Sequence, residues 1–270
     1  YEIPKRPNVW DRLEGKPEHQ RVWAGDAIHE DKDALTIADV YRHFLGCNSY
    51  VDYEIGRLLD TIERLAPDAL VIYTSDHGDH AQSHSMHNKG ATMYEENVNI
   101  PLLVKGGHIV PKQTVSDAPV SHIDIAPTIL EHFDISKPKF LEGNSLMPGL
   151  KDPAVRVNEE VFIEFGRYEV DHDGFGGFQP IRCVFDGRYK LAINLLSSDE
   201  LYDLESDPYE MTNLIEAPDH VEQRNALHDR LIDWMNETRD PFRGYYWQRR
   251  PWRTDAPPAH WEFTRKTRQR

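Results

Sequence analysis

The sequence predicts an α/β protein in which a larger helix-and-strand unit precedes a small antiparallel sheet with a helix packed on it. Three observations carry this. A long helical period ends at a proline and runs into a short apolar strand within the first 75 residues. Strand-like runs follow beyond residue 158, two of them joined by Asp186-Gly187, a tight hairpin signal. One amphipathic period then spans residues 219–238.

Residues 1–30 are rich in proline, glycine and charge and read as a surface loop. From Asp33 to Leu65, Ile37, Val40, Phe44, Val51, Ile55, Leu58, Ile62 and Leu65 recur at helical spacing. This is one long helix, or two divided at Gly46, and Pro67 ends it. Residues 69–75 read as a buried strand, 93–96 as a helical turn and 100–104 as a second buried strand, stopped by Gly106-Gly107. Val115 begins a further short strand. Residues 124–133 read as a helix, with Pro127 in the first turn, where proline is tolerated.

Composition shifts through Lys137-Pro138, Pro148-Gly149 and Asp152-Pro153. The expected division is therefore 1–150, 151–238 and a basic, aromatic tail over 239–270. The second unit holds runs at 160–165, 181–185, 189–193 and 200–204 and the helix through Val221, Leu227, Leu231 and Trp234. In the tail, Arg243, Trp247, Arg249, Arg250, Trp252 and Arg253 either wrap the parent domain or a neighbouring subunit, which is the preferred reading, or bind a polyanionic saccharide.

A chain of 270 residues can bury a sizeable core. Its formal net charge of −15 argues against nucleic-acid binding. No apolar run approaches a membrane span, and composition does not choose among secreted, periplasmic and cytoplasmic locations. Cys47 and Cys183 make neither a disulfide framework nor a zinc cluster and are expected as buried thiols. Residue 1 is Tyr and no signal segment precedes it, so a fragment, a processed chain or part of a longer protein is expected. An oligomer of this chain stays open.

The chemistry concentrates in residues 75–90, Ser-Asp-His-Gly-Asp-His-Ala-Gln-Ser-His-Ser-Met-His-Asn-Lys-Gly. A strand ending in Asp76-His77-Gly78 brings an oxygen and a nitrogen donor to one point, and Gly78 lets the backbone turn sharply beyond them. Lys89 then returns with a positive charge suited to an anionic oxygen. His84 and His87 could donate to an ester oxygen or leaving group, and His80 less so. His122 reads as a structural hydrogen-bond partner. Two donors do not fill a metal site, since calcium takes roughly six to eight. The other acids are scattered, so Asp76 and His77 read as a half-site whose complement lies outside residues 1–270.

Five blocks resemble, in order, the C-terminal part of a type I sulfatase of the alkaline phosphatase superfamily. They are Tyr50-Val-Asp52 with Gly56-Arg-Leu-Leu-Asp60; Ser75-Asp76-His77-Gly78 with His84, Lys89, Tyr94-Glu95-Glu96 and Ile100-Pro101-Leu102; Asp124-Ile-Ala-Pro-Thr128; Leu201-Tyr-Asp-Leu-Glu-Ser-Asp-Pro208; and Glu210 with Asn213-Leu214. The thirteen positions from Asp76 to Lys89 resemble the iduronate-sulfatase and phosphonate-monoester-hydrolase branches. The resemblance implies an alkaline-phosphatase-like sandwich with a mainly parallel sheet. It implies a divalent metal on Asp76 and His77, calcium by family habit, with manganese or zinc left open by the nitrogen ligand. It implies Lys89 and His84 in catalysis, Lys89 and His87 on the substrate, and a sulfated small molecule or saccharide as that substrate. A phosphonate or phosphodiester is the alternative, and a non-catalytic anion-binding fragment the reading of another class. The formylglycine nucleophile, which the family forms in Cys-x-Pro-x-Arg or Ser-x-Pro-x-Arg, would come from a missing N-terminal half, because neither cysteine here fits. The family has glycine two positions before its loop histidine, where this chain has Gln82.

Overall fold

The structure, a computed structural model, describes residues 6–28, 34–106, 109, 114–166 and 179–253. The apolar period over 34–65 forms one unbroken helix. After a short helix α1 (Glu18–Ala24), α2 (Ala34–Leu65) passes through Gly46 and ends before Pro67. Strands β1 (Val71–Thr74) and β2 (Leu102–Lys105) pair with each other, with the short helix α3 (Glu95–Val98) between them in the chain. A 3-10 turn at His122–Asp124 leads into α4 (Ile125–His132), followed by α5 (Met147–Lys151). Residue 115 belongs to no strand.

The β1–β2 pair is antiparallel. The mainly parallel order expected of the large sheet does not occur among the described residues, where every strand pair is antiparallel. The reason is local. Gly78 N–H donates to Asn97 O at 2.9 Å, so the chain leaves β1 and returns to β2 at the same end. A parallel return would need a crossover to the far end.

The small sheet runs in sequence order, β3 (Val161–Phe165), β4 (Ile181–Phe185), β5 (Tyr189–Asn194) and β6 (Glu200–Asp203). Asp186 builds the hairpin between β4 and β5, its Oδ1 accepting from Arg188 N–H and Tyr189 N–H, with Gly187 at φ 96°. Side chains alternate between two covered faces. Val184, Leu191, Ile193 and Leu201 meet Leu227, Leu231 and Met235 of α6 (Val221–Glu237). Ile181, Cys183 and Ala192 on the other face meet Ala91 and Met93, just beyond Lys89. The sheet thus forms the floor beneath the histidine-rich loop.

Two expectations are corrected here. Residues 7–28 are not a surface loop: Asn8, Val9, Leu13, Lys16, His19 and Gln20 are buried, because a 3-10 turn at Pro7–Trp10 and α1 press them against residues 80–94. Cys47 is exposed on α2 and only Cys183 is buried.

The first part of the tail is integral to the small unit. Trp247, in α7 (Tyr245–Gln248), enters the core beside α6. The Arg250 guanidinium grips both carboxylate oxygens of buried Asp199, at 2.7 and 2.9 Å, and Trp252 Nε1–H donates to the same group at 2.7 Å. Arg253 pairs with Asp229. These cations are committed to the fold, as the wrapping reading expects; residues 254–270 lie outside the described residues. Asp199→Asn would leave Arg250 buried without its counter-charge, and the expected loss is about 3–5 kcal/mol. Denaturant unfolding of the variant measures it, and a loss under 1 kcal/mol would show that the tail is only loosely attached.

Candidate functional site

The end of β1 sets the site. Asp76 is exposed, with its Oδ1 accepting from His77 N–H at 3.0 Å. Desolvation pushes its pKa up, but that N–H and the neighbouring Lys89 ammonium hold the carboxyl below its ordinary value. His77 Nδ1 lies 2.7 Å from Gly78 O. A carbonyl only accepts, so Nδ1 carries the proton and Nε2 keeps its lone pair. That lone pair faces Asp76 Oδ2 at 3.4 Å and Lys89 Nζ at 2.7 Å. A histidine whose rear N–H is held by a backbone carbonyl is the usual arrangement of a metal-binding imidazole.

Gly78 is needed for close approach rather than for a special φ. A first side-chain carbon there would lie 1.8 Å from Glu96 O. Gly90 is fixed differently: its carbonyl accepts from Thr92 N–H at 2.8 Å and Asn97 Nδ2–H at 3.1 Å, and a first side-chain carbon there would meet the Trp23 ring of α1 at 2.4 Å. Lys89 therefore rides on a turn trapped between α1 and the small sheet. His122 Nε2–H donates to Ser75 O at 2.7 Å, fixing the residue before Asp76, as its structural reading expects. Asp76, His77, Lys89 and His122 line a cleft of about 830 Å³, together with Glu95, Asn97 and, from β3, Phe165.

The structure brings Asp76, His77 and Lys89 together and leaves the other two candidates apart. His87 is exposed and does not line the cleft. His84 is wholly buried. Its Nδ1–H donates to Asp11 Oδ2 at 2.7 Å, and its Nε2 accepts from Asn8 Nδ2 at 3.3 Å. Burial, chiefly, lowers its pKa and keeps it neutral. With both nitrogens taken and no exposure, the ring has no atom to offer a substrate in the cleft.

Around His84 lies a charged interior that residue spacing did not reveal. Lys16 Nζ, buried, contacts Asp11 Oδ2 at 2.6 Å and Glu210 O at 2.5 Å. Desolvation opposes the Asp11 charge, yet His84 and Lys16 bring its pKa down to about 2. Lys190 pairs with Glu95 and Glu210, each at 2.7 Å. Burial alone would discharge this ammonium, but Glu210 and Glu95 outweigh it and keep it charged. Glu210 Oε2 also accepts from Glu95 N–H at 2.7 Å, closing the first turn of α3. His84, Glu96 and Glu210 place donor atoms within 4.8 Å of one another, so the acids are less scattered than the sequence suggested. Lys190 on Glu210 and Asn8 on Glu96 already fill this group. A faint signal existed in the sequence: the short apolar-polar run after Pro17 that becomes α1.

Gln82 has φ 72°, the left-handed conformation that glycine adopts without strain.

A sulfatase family model matches residues 8–135, and an N-sulphoglucosamine sulphohydrolase C-terminal model matches residues 83–237. The chain belongs to the sulfatase family. The uncharacterized sulfatase YidJ of Escherichia coli (strain K12) is 41% identical over 96% of this chain and 50% of its own length. A solved protein in complex with its substrate D-glucosamine-2-N,6-O-disulfate is 26% identical, with a TM-score of 0.65 over 72% of this chain and 40% of its own. The phosphonate monoester hydrolase of Agrobacterium radiobacter is 25% identical, with a TM-score of 0.60 over 70% of this chain and 40% of its own. The chain spans about half the length of the first of these relatives. The α/β fold is that of sulfatases. No helix among the described residues is long and apolar enough to cross a membrane.

One prediction follows from the loop and a second from two buried histidines, His80 in the loop and His228 in α6. Replacing Gln82 by glycine relieves the left-handed strain at the cost of chain entropy, with a net gain of about 0.5–1 kcal/mol. A lowered denaturation midpoint would show instead that the Gln82 side chain anchors the loop. Burial, chiefly, pushes His80 down to about 3 and His228 down to about 4. The unfolded chain takes up both protons near pH 6.5, so their contribution is full above that pH and lost as pH falls toward 4. Glu210, raised chiefly by burial, works in the opposite direction as a single group. Tm is expected to fall between pH 7 and pH 5, and a flat profile would contradict the neutral burial of these rings.

Proposed function

We propose that this chain is the C-terminal portion of a metal-dependent sulfatase that hydrolyses a sulfate monoester, on a carbohydrate or small alcohol. The observation that carries the reading is the convergence of Asp76 Oδ2, His77 Nε2 and Lys89 Nζ at the end of β1. A hard carboxylate oxygen and an unprotonated imidazole nitrogen suit a divalent cation as two of its donors. Calcium fits the carboxylate, and the nitrogen leaves manganese or zinc open. The other donors, and the formylglycine nucleophile that the resemblance implies, would come from outside residues 1–270. A metal there would offset the charge of the sulfuryl group in the transition state.

This chain's own residues do the rest. Lys89 binds a sulfate oxygen as a point charge. Its ammonium rests on the His77 lone pair, and a cation held there would leave Lys89 for the anion. The Asp76 carboxyl is held below its ordinary pKa, which favours the ionised form that a cation would bind. Phe165 and the polar groups of Glu95 and Asn97 face the same cleft and offer a surface for the alcohol part of the ester. The likeness to a phosphonate monoester hydrolase keeps a phosphonate or phosphodiester as the second reading, because the same cradle accepts a tetrahedral phosphorus anion.

The test is a paired assay of the enzyme containing this chain on 4-nitrophenyl sulfate and a phenyl phosphonate ester, with metal removed by chelator and restored. Higher kcat/KM on sulfate supports the first reading; a preference for phosphonate replaces it with the second. Lys89→Ala is expected to lower kcat/KM by about 10²–10³-fold, the range for losing one group that stabilises transition-state charge. Asp76→Asn is expected to raise the metal concentration needed for half-maximal activity by at least about tenfold. Full activity in either variant would remove that residue from the site.

A further inference from the structure

We infer that His84 is a positioning residue for Lys89: anchored by Asp11, it holds the loop that delivers the lysine ammonium to the His77 edge of the site. This rests on the role proposed above for Lys89 and adds a residue that never touches substrate.

The loop is strained. Ala81, Gln82, His84, Ser85 and Asn88 all have φ between 43° and 72°. None is glycine, and a left-handed residue of this kind costs on the order of 1–3 kcal/mol. Five such residues between β1 and Lys89 persist only if their surroundings impose them. The surroundings are specific. The His84 ring stacks on Tyr94 with centroids 3.7 Å apart and planes 13° from parallel. Tyr94 O–H donates to Gln20 Oε1 at 2.6 Å, fixing the platform. Asp11 accepts from His84 on one side and from Leu13 N–H at 2.8 Å on the other. Its backbone carbonyl accepts from Ser85 Oγ at 2.7 Å. Arg6 donates to Ala81 O at 3.2 Å.

The held loop then closes on itself. His80 N–H donates to Asn88 O at 2.8 Å, which sets where the chain emerges into Lys89. Gly90 is trapped by Trp23 immediately after. Lys89 therefore has a fixed residue on each side, and one of those fixed points depends on the anchored loop. Loss of the anchor lets the left-handed residues relax and the Asn88 carbonyl drift, with Lys89 following.

The experiment uses His84→Ala, His84→Asn and Ser85→Ala, each alone and combined with Lys89→Ala, in the enzyme containing this chain. Asn accepts the left-handed φ of 55° at position 84 and can return an amide N–H to Asp11. The expected result is a fall in kcat/KM of about 10–100-fold for His84→Ala, the scale for misplacing a positioned group. A smaller fall is expected for Ser85→Ala and partial rescue for His84→Asn. In the Lys89→Ala background His84→Ala is expected to cost less than about threefold, since residues acting as a unit are not additive. Equal factors in both backgrounds would overturn the inference and leave His84 as packing alone.

The ¹⁵N shift of His77 Nε2 reads the same geometry in the enzyme containing this chain, without any turnover. It is expected to move in His84→Ala and to stay near the parent value in His84→Asn. An unmoved shift in His84→Ala with a lowered Tm would also overturn the inference. If His84→Ala does not fold, Ser85→Ala decides by both readouts. Absence of sulfate-ester hydrolysis in the parent enzyme would instead count against the proposed function, while the His77 shift still decides the positioning claim.

Discussion

The buried ammonium of Lys16 is the interaction on which the arrangement depends. It is nearly inaccessible to solvent and sits among Asp11, the Glu210 carbonyl and the rings of Tyr94 and Tyr202. A bare ammonium in that position would cost several kcal/mol, so its partners must stay in place whenever the protein is folded. Those partners come from separated parts of the chain: the N-terminal segment, the residues before α3, β6 and the turn after it. One charge thus obliges four segments to meet. Lys190 repeats the device a short distance away, tying β5 to α3 through Glu95 and Glu210. Glu210 serves both lysines, one through its carbonyl and one through its carboxylate, and takes a left-handed φ of 51° to do so.

This interior explains why the exposed site needs so few residues of its own. Asp76, His77 and Lys89 are all accessible, and an exposed lysine is normally free to sample many rotamers at little cost. Here the backbone on both sides of Lys89 is fixed from below, so only the side chain retains freedom. The strain in residues 81–88 is tolerable for the same reason. Left-handed residues are expensive singly, but the network that fixes them is already required by the buried charges. The loop then behaves as part of the scaffold rather than as a surface connection, and three accessible groups can be aimed at one point.

Much of the fold was legible because it rests on local patterns. The period over 33–65, the hairpin at Asp186-Gly187 and the alternation in β4 and β5 are each written within a dozen or so neighbouring residues, and each forms within a residue or two of its expected place. That Asp76, His77 and Lys89 would come together was legible because a strand end, a glycine and a returning lysine are also close in sequence. His84 was misplaced because spacing cannot tell a histidine that faces the cleft from one that faces Tyr94. Its burial depends on Asp11, 73 positions away. The N-terminal segment was misread for a related reason. Proline, glycine and charge usually mark exposed loops, but here Lys16 is charged and interior, because its counter-charges lie at Asp11 and across the fold. The antiparallel pairing of β1 and β2 likewise follows from one hydrogen bond, Gly78 to Asn97, that no periodicity encodes.

The same contrast runs through the outer face. Along α2, Tyr50, Val51, Tyr53 and Leu58 are exposed, as are Tyr73 on β1 and Leu103 on β2. Scattered exposed apolar residues are ordinary, and others such as Trp10, Phe133, Phe140 and Tyr246 are spread over the rest of the surface. On the other side of the Asp76–Lys89 loop, apolar groups meet the small sheet, and the buried lysines have their carboxylates. On the cleft side, by contrast, the proposed metal reading gives Asp76 and His77 as two donors where a divalent cation takes roughly six. The loop's anchoring from the small-sheet side lets Asp76, His77 and Lys89 hold their relative positions without help from the cleft side. On the proposed reading, the residues that complete the site would meet a rigid edge, which is what a reaction dependent on charge placement requires.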